Sequence, residues 1–248
     1  MSKIIAVSNH KGGVGKTTSV VNIGAGLSNE GKRVLLIDLD PQANLSQSLK
    51  VTGSDRDIYG SLKGLYPLSP ISVNPKLDIV SSTLDLSGAE IELSSEVGRE
   101  FILKELISKV RDNYDYILID NPPSLGLLTI NSFTASDIVI IPLQAEYLAL
   151  QGVAKLVEVI GKVQAKLNQD LEIGGVFLTQ YDSRKVLNRN VLETIENYFK
   201  DKVFNTKIRN NIALAEAPTQ GVDIFRYDPS SYGAEDYKAL SKEILLKF

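Results

Sequence analysis

The chain has 248 residues, of which 43% are hydrophobic and 23% are charged, and its formal net charge is −3. This composition is typical of a globular protein with one large core, and the negative balance argues against a strongly basic nucleic-acid binder. Because cysteine is absent and His10 is the single histidine, disulfides, thiol nucleophiles and multi-histidine metal sites are excluded. The chain begins Met-Ser-Lys and passes directly into a strand pattern, so we expect a cytoplasmic protein without a secretory signal or membrane span.

The first motif is a glycine-rich stretch between an apolar run at 4–7 and a helical pattern at 19–29. Its residues are Lys11, Gly12, Gly13, Val14, Gly15, Lys16, Thr17 and Thr18. A strand, a glycine-rich turn and a helix form the context of a phosphate-binding loop, in which backbone N–H groups point at an anion. In this pattern Lys16 reaches the β- and γ-phosphates, and the Thr17 hydroxyl ligates Mg²⁺. The loop departs from the general pattern because it has His10 in place of a glycine and carries a second lysine, Lys11.

The rest of the chain alternates between strand and helix patterns. Apolar runs typical of buried strands lie at 4–7, 34–38, 77–80, 116–120, 137–143 and 175–179. Helical patterns lie at 19–29, 43–50, 100–110, 151–167, 190–199 and 233–247. We predict a loop at 52–76 with a helical turn near 58–62, and an extended segment at 203–208. The alternation predicts a single α/β domain over residues 1–248, with a mostly parallel twisted sheet and helices on both faces.

Three aspartates lie at the ends of two predicted strands. Asp38 and Asp40 close the run at 34–38, and Asp120 ends the run at 116–120. Because ligands of parallel sheets bind at the carboxyl ends of the strands, we expect the three carboxylates to converge on the glycine-rich loop. A triphosphate with Mg²⁺ needs carboxylates near the metal and a group that orients the attacking water. We therefore assign Asp120 and Asp38 to the metal and Asp40 to the water.

The motifs K-G-G-V-G-K-T-T, D-L-D-P-Q and I-L-I-D-x-P-P-S together resemble those of the deviant Walker-A ATPases of the ParA/MinD superfamily. Later motifs at 214–218, 227–229 and 233–235 resemble the ParA/Soj branch in particular, and the similarity covers nearly the whole chain. The resemblance implies ATP and Mg²⁺ as cofactors, and a homodimer that forms with ATP and then binds double-stranded DNA non-specifically. It also implies a ParB-like activator of a slow ATPase, a role in chromosome or plasmid partitioning, and nucleoid association in the ATP state.

The resemblance further implies roles for single residues. Lys11 matches a lysine that crosses a nucleotide-sandwich dimer to touch the ATP of the partner subunit. Gly12 matches a glycine whose enlargement would block face-to-face dimerisation. Asp40 matches the residue that positions the hydrolytic water. Tyr181 and Pro218 occupy positions at which members of the family line the adenine pocket.

The surface that would hold DNA matches the branch less closely. Residues 184–209 contain seven basic and three acidic side chains, which gives this segment a net charge of +4. Arg189 stands where the branch has an arginine, whereas Asn210 and Ala213 replace two others. Because phosphate contacts tolerate shifts in position, we expect nearby cations to supply replacements. These cations are Lys207, Arg209 and Arg226. The alternative is a solvated basic face that binds no DNA.

Three other functions are compatible with these motifs. A MinD-like membrane-associated ATPase would bind lipid through its tail, but the tail at 237–248 lacks the basic extension of a membrane-targeting helix. A metabolic or metal-cluster P-loop enzyme would need a second substrate pocket, and the absence of cysteine excludes the nitrogenase-iron-protein type. A ParA-like switch that positions a cargo other than DNA is a third alternative.

Overall fold

The computed structural model describes residues 2–146 and 149–248. Its strands are β1 Lys3–Val7, β2 Val34–Asp38, β3 Ile71–Asn74, β4 Leu77–Val80, β5 Tyr116–Asp120, β6 Ile138–Gln144 and β7 Glu172–Thr179. These seven described strands form one sheet in the order β3-β4-β2-β5-β1-β6-β7. Every neighbouring pair is parallel except β3 and β4 at one edge. The predicted mostly parallel α/β sheet is confirmed.

Helices cover both faces of this sheet. They are α1 Lys16–Asn29, α2 Asn44–Ser48, α3 Ile58–Leu62, α4 Ala89–Glu92, α5 Ile102–Ser108, α6 Leu127–Ala135, α7 Ala149–Lys166, α8 Val186–Phe199, α9 Ala213–Gln220, α10 Ile224–Tyr227 and α11 Tyr232–Lys247. Short 3₁₀ turns lie at Leu84–Gly88, Leu93–Ser95, Arg111–Asn113 and Lys200–Lys202. In the part of the chain that the structure describes, no helix has both the length and the apolar character needed to cross a bilayer.

The central strands are buried on both faces because their side chains alternate between two layers of helices. In β5, Tyr116 and Leu118 pack into the core that contains α1 and α11. Ile117 and Ile119 point the other way and pack with α3, α5 and α6. A third cluster joins β6 and β7 to α7 and α8. Burial on both sides explains why these strands read as continuous apolar runs.

One predicted segment differs from the structure. The stretch predicted as a loop at 52–76 contains β3, whose residues are only partly buried because it lies at the sheet edge. The segment at 203–208, predicted as extended, lies beside β7 without forming a full strand of the sheet. It bonds to β7 at separate points, where the Phe204 N–H donates to the Val176 carbonyl and the Ile208 N–H donates to the Leu178 carbonyl, each at 2.8 Å.

Candidate nucleotide-binding site

The glycine-rich loop lies between β1 and α1, at the carboxyl edge of the sheet. Gly13 and Gly15 have φ angles of 75° and 86°, a left-handed conformation that favours glycine. The loop is held from the end of β7, because the Thr179 hydroxyl donates to the Val14 carbonyl at 2.9 Å. The Gln180 amide also donates to the Gly13 carbonyl at 3.2 Å. These contacts fix the loop backbone before an anion arrives, which lowers the ordering cost of binding.

Lys16 begins α1 and is 7% exposed. Burial lowers the pKa of Lys16, and the nearby carboxylates of Asp120 and Asp40 oppose part of that shift. Its Nζ donates to the Lys11 carbonyl at 3.3 Å, which holds the side chain against the loop. The positive end of the α1 dipole and the Lys16 ammonium group therefore favour an anion at the same place.

Asp120 and Thr17 are suited to a Mg²⁺ ion. Asp120 is fully buried at the end of β5, and its Oδ2 accepts the Thr17 hydroxyl at 2.7 Å. Its Oδ1 has no hydrogen-bond partner within residues 2–146 and 149–248. Burial raises the pKa of Asp120, and the charge of Asp38 raises it further. A cation would satisfy the orphaned oxygen and favour the ionised carboxylate, and hydroxyl and carboxylate oxygens are ligands that Mg²⁺ prefers.

Asp38 lies directly beside Asp120, because β2 and β5 pair with these two residues in register. Its Oδ2 accepts both the backbone N–H and the hydroxyl of Ser46, at 2.8 and 2.7 Å. Its Oδ1 accepts the Asp40 N–H at 3.2 Å. Burial raises the pKa of Asp38 to about 6, although the Ser46 bonds oppose this rise. Both oxygens of Asp38 are thus engaged within the protein, and its direct ligation of Mg²⁺ stays a prediction.

Asp40 lines a cavity of about 430 Å³ together with the glycine-rich loop. Lys16 and Thr17 line the same cavity, so the structure brings these three predicted residues together. Asp40 is 7% exposed, and its Oδ1 accepts the Gln42 N–H at 2.9 Å. The cavity thus combines an ammonium group, a hydroxyl that could ligate a metal, and a carboxylate that could accept a hydrogen bond from water.

A second cavity of about 300 Å³ adjoins the first. Its lining residues are Gly15, Thr18, Thr179, Gln180, Ile208, Arg209, Asn210, Asn211, Leu214, Ala215 and Tyr237. The two predicted adenine contacts do not line this cavity. Tyr181 lines a surface cleft beyond β7, and Pro218 lies inside α9. Sequence reasoning missed Asn210 and Asn211, whose amides can donate and accept hydrogen bonds at the rim.

Lys11, at the start of the glycine-rich loop, makes a salt bridge of its own. Its Nζ pairs with the Glu146 carboxylate of the same chain, and its backbone N–H donates to Asn9 Oδ1 at 3.0 Å. The two side chains of the pair are 44% and 47% exposed. Such exposed pairs contribute only about 0–1 kcal/mol, so Lys11 can exchange Glu146 for another partner at little cost.

Two of the four predicted DNA contacts are neutralised within the chain. The Arg209 Nε donates to Asp236 Oδ1 at 3.0 Å. Hydrogen bonding to the Asp236 carboxylate raises the pKa of Arg209. The Arg226 Nε pairs with Asp223 Oδ2 at 2.5 Å. An arginine held by a carboxylate offers a weaker positive field to a phosphate, so we expect these two residues to contribute least.

The other two cations are both associated with one surface cleft, Lys207 as a lining residue and Arg189 through its bond to Ser183. Lys207 lines a surface cleft of about 720 Å³ beyond β7. Arg189 is exposed on α8, and its Nη1 donates to the Ser183 carbonyl at 2.7 Å. Because this carbonyl is neutral, the bond does not cancel the positive charge of the guanidinium group. Ser183 also lines the cleft, so Arg189 and Lys207 belong to the same part of the surface.

The chain is similar to known proteins over most of its length. Residues 2–173 match a family model described as AAA domain. The chain is 49% identical over 249 residues to the sporulation initiation inhibitor protein Soj of Bacillus subtilis, covering 98% of both chains. It is 45% identical over 250 residues to the chromosome-partitioning ATPase Soj of Treponema pallidum, covering 100% of this chain and 98% of the relative.

A solved structure extends the comparison to ligands. Cobyrinic acid a,c-diamide synthase from Mycobacterium smegmatis, with a bound ATP analogue and magnesium, superimposes with a TM-score of 0.88 at 36% identity. The alignment covers 99% of this chain and 94% of that one. Nucleotide and magnesium therefore bind within this group of structures. With its phosphate loop, its paired strand-end aspartates and these full-length matches, the chain belongs to the Soj/ParA family of P-loop ATPases.

Proposed function

We propose that the chain is a slow, Mg²⁺-dependent ATPase that dimerises with ATP and then binds double-stranded DNA non-specifically. It would act in chromosome or plasmid partitioning with a ParB-like activator. The observation that carries the proposal is the position of Lys11. This second cation begins the glycine-rich loop, and among the described residues its ammonium group pairs only with the exposed Glu146 carboxylate. A side chain so placed can move to the ATP of a second copy.

Gly12 supports the same arrangement. Its φ is not among the left-handed values, and a Cβ built at this position would meet no atom of the described residues within 4 Å. Steric contacts within the described part of the chain therefore do not explain a glycine here. A closely approaching second copy does, because a side chain at position 12 would stand between the two facing surfaces.

Each residue of the site would have a separate role in ATP hydrolysis. Bound ATP with Mg²⁺ supplies the phosphoryl group and the metal charge that neutralises its oxygens. Lys16 holds the phosphates, Thr17 and Asp120 hold the metal, and Asp40 orients the attacking water. The adenine base would occupy the cavity that contains Asn210. Loss of the γ-phosphate then removes the contacts that keep two copies together, as in other nucleotide switches.

We expect Arg189→Glu to weaken DNA binding while leaving ATP-dependent dimerisation unchanged. Reversal of one exposed charge removes a phosphate contact and should lower the salt slope of binding by about one unit for each subunit of the dimer. Co-sedimentation with double-stranded DNA across a salt series measures this. Lys104→Glu, an equal charge reversal at an exposed position on α5, is the control. Unchanged DNA retention by Arg189→Glu would place the DNA surface elsewhere.

The membrane alternative is less favoured because the apolar side of α11 is used inside the protein. Tyr237, Leu240 and Ile244 are buried in the core that also contains α1. A helix that packs in this way has no apolar face left at those positions for a bilayer. Sedimentation with liposomes in the presence of ATP separates the two functions, since vesicle binding without DNA binding would favour the MinD-like alternative.

A metabolic enzyme is the runner-up because a structural neighbour is named a synthase. The relatives with higher identity, 49% and 45%, both carry the name Soj. Partitioning is therefore favoured. ATP hydrolysis that depends on a corrinoid acid and is unaffected by DNA would support the enzyme alternative. A switch that positions another cargo would bind neither DNA nor the corrinoid acid.

A further inference from the structure

A closed ring of hydrogen bonds surrounds the turn that carries Asp40. Asp38 accepts the Asp40 N–H through Oδ1 at 3.2 Å and the Ser46 hydroxyl through Oδ2 at 2.7 Å. Ser46 Oγ accepts the Ser82 N–H at 2.9 Å, and the Ser82 hydroxyl donates to the Asp40 carbonyl at 2.9 Å. The ring begins and ends at Asp40, and none of its four residues is more than 7% exposed.

The direction of each bond in the ring follows from the donors and acceptors present. The Asp40 carbonyl can only accept, so it takes the single proton of the Ser82 hydroxyl. The Ser82 backbone N–H can only donate, so Ser46 Oγ accepts there and gives its own proton to Asp38. Because the ring is buried, water competes little for these bonds. The Ser82 hydroxyl has one other acceptor among the described residues, the Thr83 carbonyl at 3.5 Å, which is a much longer contact than the 2.9 Å bond to the Asp40 carbonyl.

The turn after Asp40 needs such support. The Ala43 N–H also bonds to the Asp40 carbonyl at 2.9 Å, which closes a tight turn. Ala43 has a φ of 52°, a left-handed conformation that an alanine adopts only at a cost. Strained backbone of this kind persists where surrounding contacts over-determine it. Ser82 supplies one of those contacts from a different part of the chain, just after β4.

We propose that Ser82 is a positioning residue for ATP hydrolysis. It holds the backbone of Asp40 so that the Asp40 carboxylate is aimed at the attacking water. The proposal rests on the role assigned above to Asp40. Ser82 is not among the residues that line the phosphate cavity, so it should affect turnover and leave nucleotide affinity unchanged.

The test is Ser82→Ala, which deletes the hydroxyl and keeps the backbone N–H bond to Ser46. Loss of one neutral hydrogen bond predicts a kcat about fivefold lower, with an unchanged Kd for ATP. Steady-state hydrolysis and titration with a fluorescent ATP analogue give the two quantities. Ser81→Ala is the matched control, because Ser81 is 2% exposed and its hydroxyl has no partner among the described residues. We expect Ser81→Ala to keep the wild-type kcat.

A double variant shows whether Ser82 acts through Asp40. Asp40→Ala should leave a residual rate about 10²- to 10⁴-fold below the wild-type rate, and adding Ser82→Ala should not lower that residual rate further. Normal kcat in Ser82→Ala beside an inactive Asp40→Ala would overturn the inference and leave the proposed function intact. A wild-type rate of hydrolysis in Asp40→Ala would overturn the role of Asp40 itself. A parallel loss of kcat and ATP affinity in Ser82→Ala would mean a merely structural role and would also overturn the inference.

Folding of the variants is followed by urea denaturation. If Ser82→Ala does not fold, Ser82→Cys takes its place, because a thiol fills the site but donates only weakly. We then expect a reduced kcat at unchanged ATP affinity, and a wild-type kcat in Ser82→Cys would contradict the proposal.

Discussion

Lys16→Ala is expected to abolish nucleotide binding. The Lys16 ammonium group is buried beside the carboxylates of Asp120 and Asp40, and both carboxylates act on its pKa. Its removal leaves negative charge where a triphosphate must bind. Truncating one partner of a buried charge pair at a binding site costs about 2–5 kcal/mol, which corresponds to roughly thirty- to several-thousand-fold weaker binding. Isothermal titration with ATP and Mg²⁺ measures the loss.

A matched lysine separates this effect from a general loss of charge. Lys63 follows α3, and its ammonium group pairs with the Glu92 carboxylate at 2.7 Å, away from the phosphate cavity. We expect Lys63→Ala to bind ATP as the wild type does. Urea denaturation of both variants checks that they are folded. If Lys16→Ala kept normal ATP affinity, the assignment of the phosphate loop would be wrong.

Asp40→Ala is expected to stop hydrolysis without weakening ATP binding. Asp40 lines the phosphate cavity but makes no salt bridge in the described part of the chain, so its carboxylate is available to water. Loss of a group that orients or activates water lowers the rate by about 10²- to 10⁴-fold. Because the γ-phosphate then stays in place, ATP-bound dimers should accumulate.

Phosphate release and sedimentation velocity measure the two parts of this prediction. Asp55→Ala is the control, since Asp55 is an exposed aspartate in the loop before α3. We expect it to hydrolyse ATP and to return to the monomer at the wild-type rate. A variant Asp40→Ala that remained monomeric and still hydrolysed ATP would contradict the role of Asp40.

Much of the fold could be predicted because the central strands are buried on both faces. Runs such as 34–38 and 116–120 are apolar throughout and end in aspartate, so the sequence alone marks their carboxyl ends. Parallel pairing then places Asp38 beside Asp120 in register. The phosphate loop could be predicted because its glycines are visible in the sequence. Gly13 and Gly15 adopt left-handed backbone conformations, which favour glycine.

The helix α6 could not be predicted from hydrophobic periodicity. Its buried residues include polar ones, so no apolar stripe at helical spacing marks it. Asn131 illustrates the cause: its side chain accepts the Leu103 N–H at 3.1 Å and donates to the Arg99 carbonyl at 2.7 Å. A buried polar side chain whose hydrogen-bond partners are distant backbone groups cannot be distinguished from a surface residue in the sequence alone.

Contacts between distant segments also limit what the sequence alone can predict about the site. Ser82 touches Asp40 across 42 positions of sequence, and no local pattern marks that serine. The pairing of Arg209 with Asp236 is equally invisible in the sequence, where Arg209 counts simply as one more cation in a basic segment. Local charge in the sequence therefore overstates the positive charge that is left unpaired on this part of the surface.

Co-sedimentation of the wild-type protein with double-stranded DNA tests the proposed switch most directly. The measurement compares ATP, ADP and no nucleotide, each across a salt series. We predict retention on DNA with ATP alone, with an affinity that falls steeply as salt rises. Equal retention in all three nucleotide states, or no retention with ATP at low salt, would contradict an ATP-dependent DNA-binding switch.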